Sequence, residues 1–403
     1  MNQSVSDIVT AERPSVLEIF VVFLRLGLTS FGGPIAHLGY FREEFVERRR
    51  WLDEHAYADL VGLCQFLPGP ASSQVGIALG LSRAGILGAI AAFLGFTLPS
   101  AILLALFALG MARFGSQLNS GWLHGLKVVA VAVVAQALWG MGKSLASDKT
   151  RATLAVASAA VVAIVPSALG QIGVIAACGI VGWAFLRTDT VLPHTSVPVP
   201  ISRKMGALLI GGFFLILFGL PVIAQGSGAY VIKMFDGFYR SGALVFGGGH
   251  VVLPLLQSLV VPAGWVSNDA FLAGYGAAQA VPGPLFTFAA YLGAISAQSP
   301  SGWAGATIAV IAIFLPAFLL VAGTMPFWES LRRYAGIKRA MLGINAAVVG
   351  LLLAAFYHQV WTSAIHSAAD FSLATIAFLL LVFWKWPPWL VVVLAAVVAG
   401  VGL

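Results

Sequence analysis

The chain has 403 residues, 60% of them hydrophobic and only 9% charged, with a mean hydropathy of +0.95. A soluble domain carries about 25% charged residues, so this chain cannot cover itself with a polar surface, and a water-soluble globular fold is excluded. The net charge of +7 is then a topology signal carried by loop Lys and Arg, not the footprint of a nucleic-acid binder.

In chain order, Asp7, Glu12 and Arg13 precede the first apolar stretch. They lack the basic-then-apolar order of a cleavable signal, which predicts direct insertion with a cytoplasmic N-terminus. Segments 17–40 and 57–82 read as broken hairpins, interrupted at "FGGP" and "LPGP". Whether each crosses the bilayer or re-enters halfway is open at this level. Spanning helices are predicted over 84–111, 122–142, 152–166 and 170–186, because a helix needs about 20 apolar residues to cross a ~30 Å hydrocarbon core. A polar, Pro-rich stretch (187–204) reads as a linker, followed by one apolar helix over 205–224. The scheme then repeats over 229–256, 270–297, 303–327, 338–357, 370–385 and 387–403. The expected fold is an all-α polytopic membrane protein with an odd number of crossings. Its termini therefore lie on opposite sides. Cys64 and Cys178 lie far apart in apolar segments and suggest neither a disulfide framework nor a metal site.

The repeat is visible in the letters. "FLRLGLTSFGGP" (23–34) aligns with "FYRSGALVFGGG" (238–249), and "WLDEHAY" (51–57) with "WVSNDAF" (265–271). "QFLPGP" (65–70) aligns with "QAVPGP" (279–284), "FTLPSAILL" (96–104) with "IFLPAFLLV" (313–321), and "HGLK" (124–127) with "AGIK" (335–338). Three regions follow: an N-terminal repeat (1–187), a linker with one transmembrane helix (188–226), and a C-terminal repeat (227–403). Charge indicates that the second repeat is inverted. Loop 41–55 carries Arg42, Arg48, Arg49 and Arg50, whereas its partner near 256–270 carries no Lys or Arg. The next pair reverses the bias, with Arg113 and Lys127 against Arg332, Arg333, Lys338 and Arg339. The positive-inside rule then places 41–55 and 328–340 in the cytoplasm.

The matched breaks carry the candidate chemistry. Two prolines around a glycine (Pro68, Gly69, Pro70; Pro282, Gly283, Pro284) end a helix by removing donors and clashing with the preceding turn. In lipid, such irregular backbone survives only when buried in protein or lining a polar cavity. Helices restarting at Ala71-Ser72-Ser73-Gln74 and Leu285-Phe286-Thr287 would aim their N-terminal amides at that cavity, a geometry suited to anions near the midplane of an inverted-repeat transporter. A packing kink is the plainer alternative. Gly32 and Gly33, with Gly247 and Gly248, permit tight turns or close backbone approach. Arg25 and Arg240 occupy matched membrane-depth positions; arginine suits oxyanions bidentately, against snorkelling or pairing with Glu18 and Asp236. Gln65 and Gln279 precede the breaks as neutral ligands or backbone caps. His37 and His250 flank the FGG breaks. Lys127 and Lys338 lie near helix ends, where snorkelling is expected. Asp59 and Asp236 are candidates for a coupled proton. "GGGH" (247–250) is not an esterase loop, since no G-x-S-x-G elbow accompanies it.

With these residues assembled, the chain resembles the chromate ion transporter (CHR) family, in its long-chain, two-domain form. The resemblance rests on "FGGPIAHLGYFREEFVERRRWLDE" (31–54), "QFLPGPASSQVGIALG" (65–80), "GFTLPS" (95–100), "FGGGHVVLPLL" (246–256) and "AQAVPGPLFTFAAYLGA" (278–294). The second half departs from the "GGP-x-A-H" form, with "GGGH" in its place. The resemblance implies a secondary transporter of the cell inner membrane that exports chromate and confers resistance, with chromate or its near-isosteric dianion sulfate as the partner. It implies neither cofactor nor enzymatic activity. The expected C-terminus is periplasmic, and a homodimer is left open. The alternatives are a sulfate or other oxyanion carrier working in the uptake direction, a channel, and a membrane-embedded reductase; the last lacks any metal cluster or nucleotide fingerprint in the sequence.

Overall fold

The computed structural model describes residues 14–31, 33–114, 120–165, 168–187, 200–246, 252–331 and 334–402. Gly32, Gly247, Gly248 and His250 lie outside the described residues, as do Arg332, Arg333 and most of the Pro-rich linker. All regular elements among the described residues are helical.

The first broken hairpin comprises α1 (Val16–Thr29) and α2 (Gly33–Arg42), the latter running on into a π-helical turn, Glu43–Arg48. Ser15 caps α1 by accepting the Glu18 amide. At about 1.5 Å per residue, neither arm is long enough for a ~30 Å core. The base of the hairpin is closed by Arg49, which donates to Glu18 at 2.8 Å and to Glu44 at 2.7 Å. The chain therefore returns to the level at which it entered. Burial pushes the Glu44 carboxyl up, but the hydrogen bond and charge of Arg49, with Arg48 beside it, outweigh burial and hold it below the usual glutamate range. Arg42 ties the same base to Glu54, in the first turn of α3 (Glu54–Phe66).

After the Pro-Gly-Pro break the chain continues as α4 (Ala71–Phe114). Its 44 residues are not one rod. Ala84 and Gly85 leave helical geometry, with Gly85 at φ +65°, and the chain folds back on itself. Arms 71–83 and 86–114 touch so closely that a Cβ on Gly80 would lie 2.3 Å from the Gly88 carbonyl oxygen. Only the second arm is long enough to span. The C-terminal half builds the same hairpin from α12 (Phe288–Ile295), introduced by a 3-10 turn at Leu285–Thr287, and α13 (Gly302–Thr324). There a Cβ on Gly293 would lie 2.2 Å from the Gly305 oxygen. Gly293→Val is accordingly expected to destabilise the protein by about 1–3 kcal/mol through overpacking against backbone. Gly211→Val, where no atom lies within 4 Å, should leave the melting temperature in detergent nearly unchanged.

The remaining elements are α5 (Ser120–Leu145), α6 (Lys149–Ile164), α7 (Ala168–Phe185), α8 (Arg203–Ser227), α9 (Tyr230–Ala243), α10 (Val252–Val260), α11 (Asn268–Gln279), α14 (Trp328–Leu331), α15 (Ala335–Ala355), α16 (Thr362–Ala364), α17 (Ala368–Val382) and α18 (Pro388–Gly402). Close helix crossings come in matched pairs, one pair within the halves and one between them. α1 packs through Gly27 on the carbonyls of Gly95 and Phe96, and α9 through Gly242 on that of Ile313. α5 packs on α18 at Gly125 against Ala395, while α15 packs on α7 at Gly343 against Cys178. Small residues at these crossings let the backbones approach, as membrane helices require when no hydrophobic force drives them together. α8 stands at the periphery: Leu208, Leu215, Phe218 and Val222 point outward, and its inner face meets α9 where Tyr239 Oη donates to the Phe213 carbonyl at 3.0 Å.

Candidate functional site

The two Pro-Gly-Pro breaks and the two FGG breaks meet crosswise. The Gly69 amide donates to the Val245 carbonyl at 2.7 Å, and the Gly283 amide donates to the Ser30 carbonyl at 2.9 Å. Ser30 and Val245 hold matched positions in the repeat, as do Gly69 and Gly283, so each half offers its second break to the first break of the other. Both glycines have positive φ, +127° and +97°. The breaks thus satisfy each other's backbone groups inside the protein, as irregular structure at membrane depth must.

Around the first-half break the side chains are polar and deeply buried. The first arm of α4 opens at Ala71, with Gln74 N donating to the Pro70 carbonyl, and the preceding amides have no partner within the helix. Ser72, Ser73 and Gln74 lie in this first turn, each no more than 3% exposed. His37, on the returning arm α2, is 1% exposed; its Nδ1 lies 3.3 Å from Ser72 Oγ and its ring sits edge-on to Phe96. Gln74 Nε2 donates to the Pro68 carbonyl at 2.7 Å, which fixes the amide and directs Oε1 elsewhere. Ser100 Oγ, bonded to the Thr97 carbonyl, lies against the Gly283 backbone. Among the described residues, Ser30 Oγ, His37 Nε2, Ser73 Oγ, Gln74 Oε1 and Thr97 Oγ1 have no hydrogen-bond partner, nor does Gln279 Nε2 beside the second break. Such groups cost about 1–3 kcal/mol each when left unpaired, so their clustering marks a place built to receive something polar.

The second break is built differently. Its helix restarts as a 3-10 turn, and Thr287 Oγ1 donates to the Pro284 carbonyl at 2.6 Å, engaged within its own turn. The expected restart at Leu285-Phe286-Thr287 is present, but it is shorter and apolar.

The matched arginines have unlike surroundings. Arg25 is exposed on the outer face of α1, in register with Leu17, Val21 and Leu28. Glu18 bonds Arg49. Arg240 is bonded to Asp236 through both carboxylate oxygens, Nε at 3.0 Å and Nη2 at 2.6 Å, with Asp236 4% exposed. The position matched to Asp236 in the first half is Val21, so only one arginine has an acid one turn before it. Gln65 is exposed and Asp59 is buried, both on α3. Lys127 donates to Asp269 at 3.0 Å.

Sequence reading picked out Ser72, Ser73 and His37; it did not single out Ser30, gave Gln74 only as part of the helix restart, and missed Thr97 and Ser100. The missed signal was available: aligning the repeats pairs these polar residues with Val245, Phe288, Phe314 and Ala317. Among the described residues, no group of three or more His, Cys, Asp and Glu could hold a metal ion.

The sequence model of the chromate transporter family matches residues 17–183 and 232–401, once in each half. A chromate transport protein of Pseudomonas aeruginosa is 30% identical over 352 residues, covering 83% of this chain and 79% of that one. A chromate transport protein of Cupriavidus metallidurans is 27% identical, over 86% of this chain and 83% of its own. A probable chromate transport protein of Synechococcus elongatus is 28% identical across 96% of this chain and 95% of its own. No solved structure matches the chain.

Proposed function

This chain belongs to the chromate transporter family, and from that membership we propose that it exports chromate across the cell inner membrane and so confers resistance. Movement proceeds by alternating access around the crossed breaks. The halves 1–187 and 227–403 act as inverted repeats joined through α8, with the N-terminus cytoplasmic and the C-terminus periplasmic. The observation that carries the reading is the reciprocal pair of hydrogen bonds, Gly69 to Val245 and Gly283 to Ser30. It makes the two breaks one structural unit at the seam where two rigid halves would rock.

Within that unit, Gly33, the two Pro-Gly-Pro turns, His37, Ser72 and Ser73 line the substrate site, with Thr287 and Gln279 at its second-half edge. Arg240 contributes through Asp236, a candidate for a coupled proton alongside Asp59. Arg25 stands outside the cluster on the outer face of α1. Export of a dianion from a negative-inside cell is electrically downhill, each charge being worth about 2.3 kcal/mol per 100 mV, so coupling is not required on energetic grounds.

Everted membrane vesicles containing the protein are expected to accumulate labelled chromate saturably, above vesicles lacking it. Equal uptake by both would sink the proposal, and non-saturable conductance would replace the carrier with a channel. A second reading, a sulfate carrier, stands on the same chemistry: serine, threonine and histidine donors suit sulfate oxygens as well as chromate oxygens. Sulfate that competes fully and is itself accumulated with the lower KM would favour that reading.

A further inference from the structure

We propose that the oxyanion is bound by the first half alone, so that each chain holds one substrate ion in a cradle of neutral donors while the matched region of the second half is an apolar packing block. The inference rests on the oxyanion-transport reading above and sharpens where binding occurs. Two repeats joined crosswise would, if chemically equal, present two equivalent sites or one symmetric site. They are not chemically equal.

Position by position, Ser30 pairs with Val245, His37 with Val252, Ser72 with Phe286, Gln74 with Phe288 and Thr97 with Phe314. Only Ser73 meets a polar counterpart, Thr287, whose hydroxyl is already donated to the Pro284 carbonyl. The second-half residues also pack against one another. Phe286 and Phe314 have ring centroids 5.9 Å apart, and Phe288 lies against Phe271, Tyr275 and Tyr291. Where the second half has two phenyl rings in contact, the first half has two hydroxyl side chains. Their polar atoms, with His37 Nε2 and Ser30 Oγ, are buried around a helix start.

That combination defines the ligand chemistry. Hydroxyls, an imidazole N–H and first-turn amides donate to oxygens arranged around a central atom, and a helix N-terminus adds a partial positive charge. Gly283 supplies the contact from the opposite half: its amide orders the Ser30 carbonyl, and a Cβ there would lie 2.9 Å from Ser100 Oγ. The second half therefore closes the cradle with backbone and contributes no binding side chain at these matched positions; Gln279, whose Nε2 is unpaired beside the second break, lies outside them. A one-sided site also suits alternating access, because the ion stays with one half while the apolar half moves past it.

The experiment is equilibrium binding of chromate to the purified full-length protein, with labelled-chromate uptake in vesicles as a parallel readout. The variants are Ser73→Ala, Thr97→Val and Ser72→Phe in the first half, and Phe286→Leu and Phe314→Leu in the second. Wild-type protein is expected to bind one ion per chain. Ser73→Ala and Thr97→Val should each weaken binding roughly tenfold, the loss of about one charge-assisted hydrogen bond. Ser72→Phe, which imitates the second half, should abolish binding, and the two leucine variants should change the Kd less than about twofold by the same measure. Thr97→Ser, which keeps the hydroxyl, should restore affinity and so separates lost chemistry from a lost fold. Two ions per chain, or equal losses from both halves, would overturn the one-sided cradle while leaving transport intact. Wild-type protein that neither binds nor moves chromate or sulfate would instead overturn the transport reading itself.

Discussion

Alanine at Gly69 or Gly283 is expected to slow chromate movement by roughly tenfold per site, because strain of about 1–3 kcal/mol falls on the hinge that joins the halves. Both residues hold positive φ, which a Cβ disfavours. Both also lack room: a Cβ on Gly69 would lie 2.7 Å from Gln74 Nε2, and one on Gly283 would lie 2.9 Å from Ser100 Oγ and 3.2 Å from the Phe96 oxygen. Relief by shifting the turn would break the amide bond to Val245 or Ser30. The two substitutions should therefore harm transport more than they harm overall stability, since the strain sits at the crossed breaks and the surrounding helix pairs remain packed. Gly140→Ala is the control, in a helix with no neighbour within 4 Å. It should leave transport unchanged and be neutral or slightly stabilising, by about 0.5–1 kcal/mol, as helical glycine is replaced. Vesicle uptake rates beside detergent melting curves make the comparison. Normal transport by the Gly69→Ala/Gly283→Ala protein would show that the breaks are packing kinks only.

The second large effect is an asymmetry within one ion pair. Arg240→Gln is expected to destabilise the protein by about 3–5 kcal/mol, because it leaves the Asp236 carboxylate buried without its cation. Asp236→Asn should cost far less. The Arg240 side chain is 39% exposed against 5% for Asp236, so the freed guanidinium can reach water or headgroups by snorkelling. The double variant Asp236→Asn/Arg240→Gln should recover much of what Arg240→Gln loses. Thermal unfolding in one detergent would rank the three. A ranking in which Asp236→Asn is the most damaging would mean that Arg240 itself needs the carboxylate, as a charge held for function. Arg25→Gln, with valine in place of the acid at the matched position and an exposed side chain, should change stability by less than about 0.5 kcal/mol.

Arg25 and Arg240 also show where sequence reading reaches its limit. Their equal spacing from the FGG breaks suggested a symmetric pair, but spacing along a helix does not say which face looks inward. The outward row of Leu17, Val21 and Leu28 places Arg25 outside. Membrane helices carry weak amphipathic patterns, because lipid and protein core are both apolar, so a face is hard to read from one chain. The Pro-Gly-Pro breaks were legible for the opposite reason. Proline and glycine act on their own backbone, and their effect does not wait for tertiary contacts.

By itself, the sequence determined the solvent, the helical class, the doubled arrangement with one helix between the halves, and the places where helices must stop. All of these follow from composition, backbone chemistry and internal repetition, which are local or countable. Tertiary structure alone decided that the broken segments fold back, through the Glu18–Arg49 closure and the Gly80–Gly88 contact. It alone decided that each Pro-Gly-Pro turn bonds the opposite half and that, among the described residues, Ser30, His37, Ser73, Gln74 and Thr97 bring unpaired polar atoms to the first-half break. These facts depend on which distant groups meet, and in a chain this apolar many pairings satisfy the same hydropathy. The packing of glycine against carbonyl, and of ring against ring, selects among them.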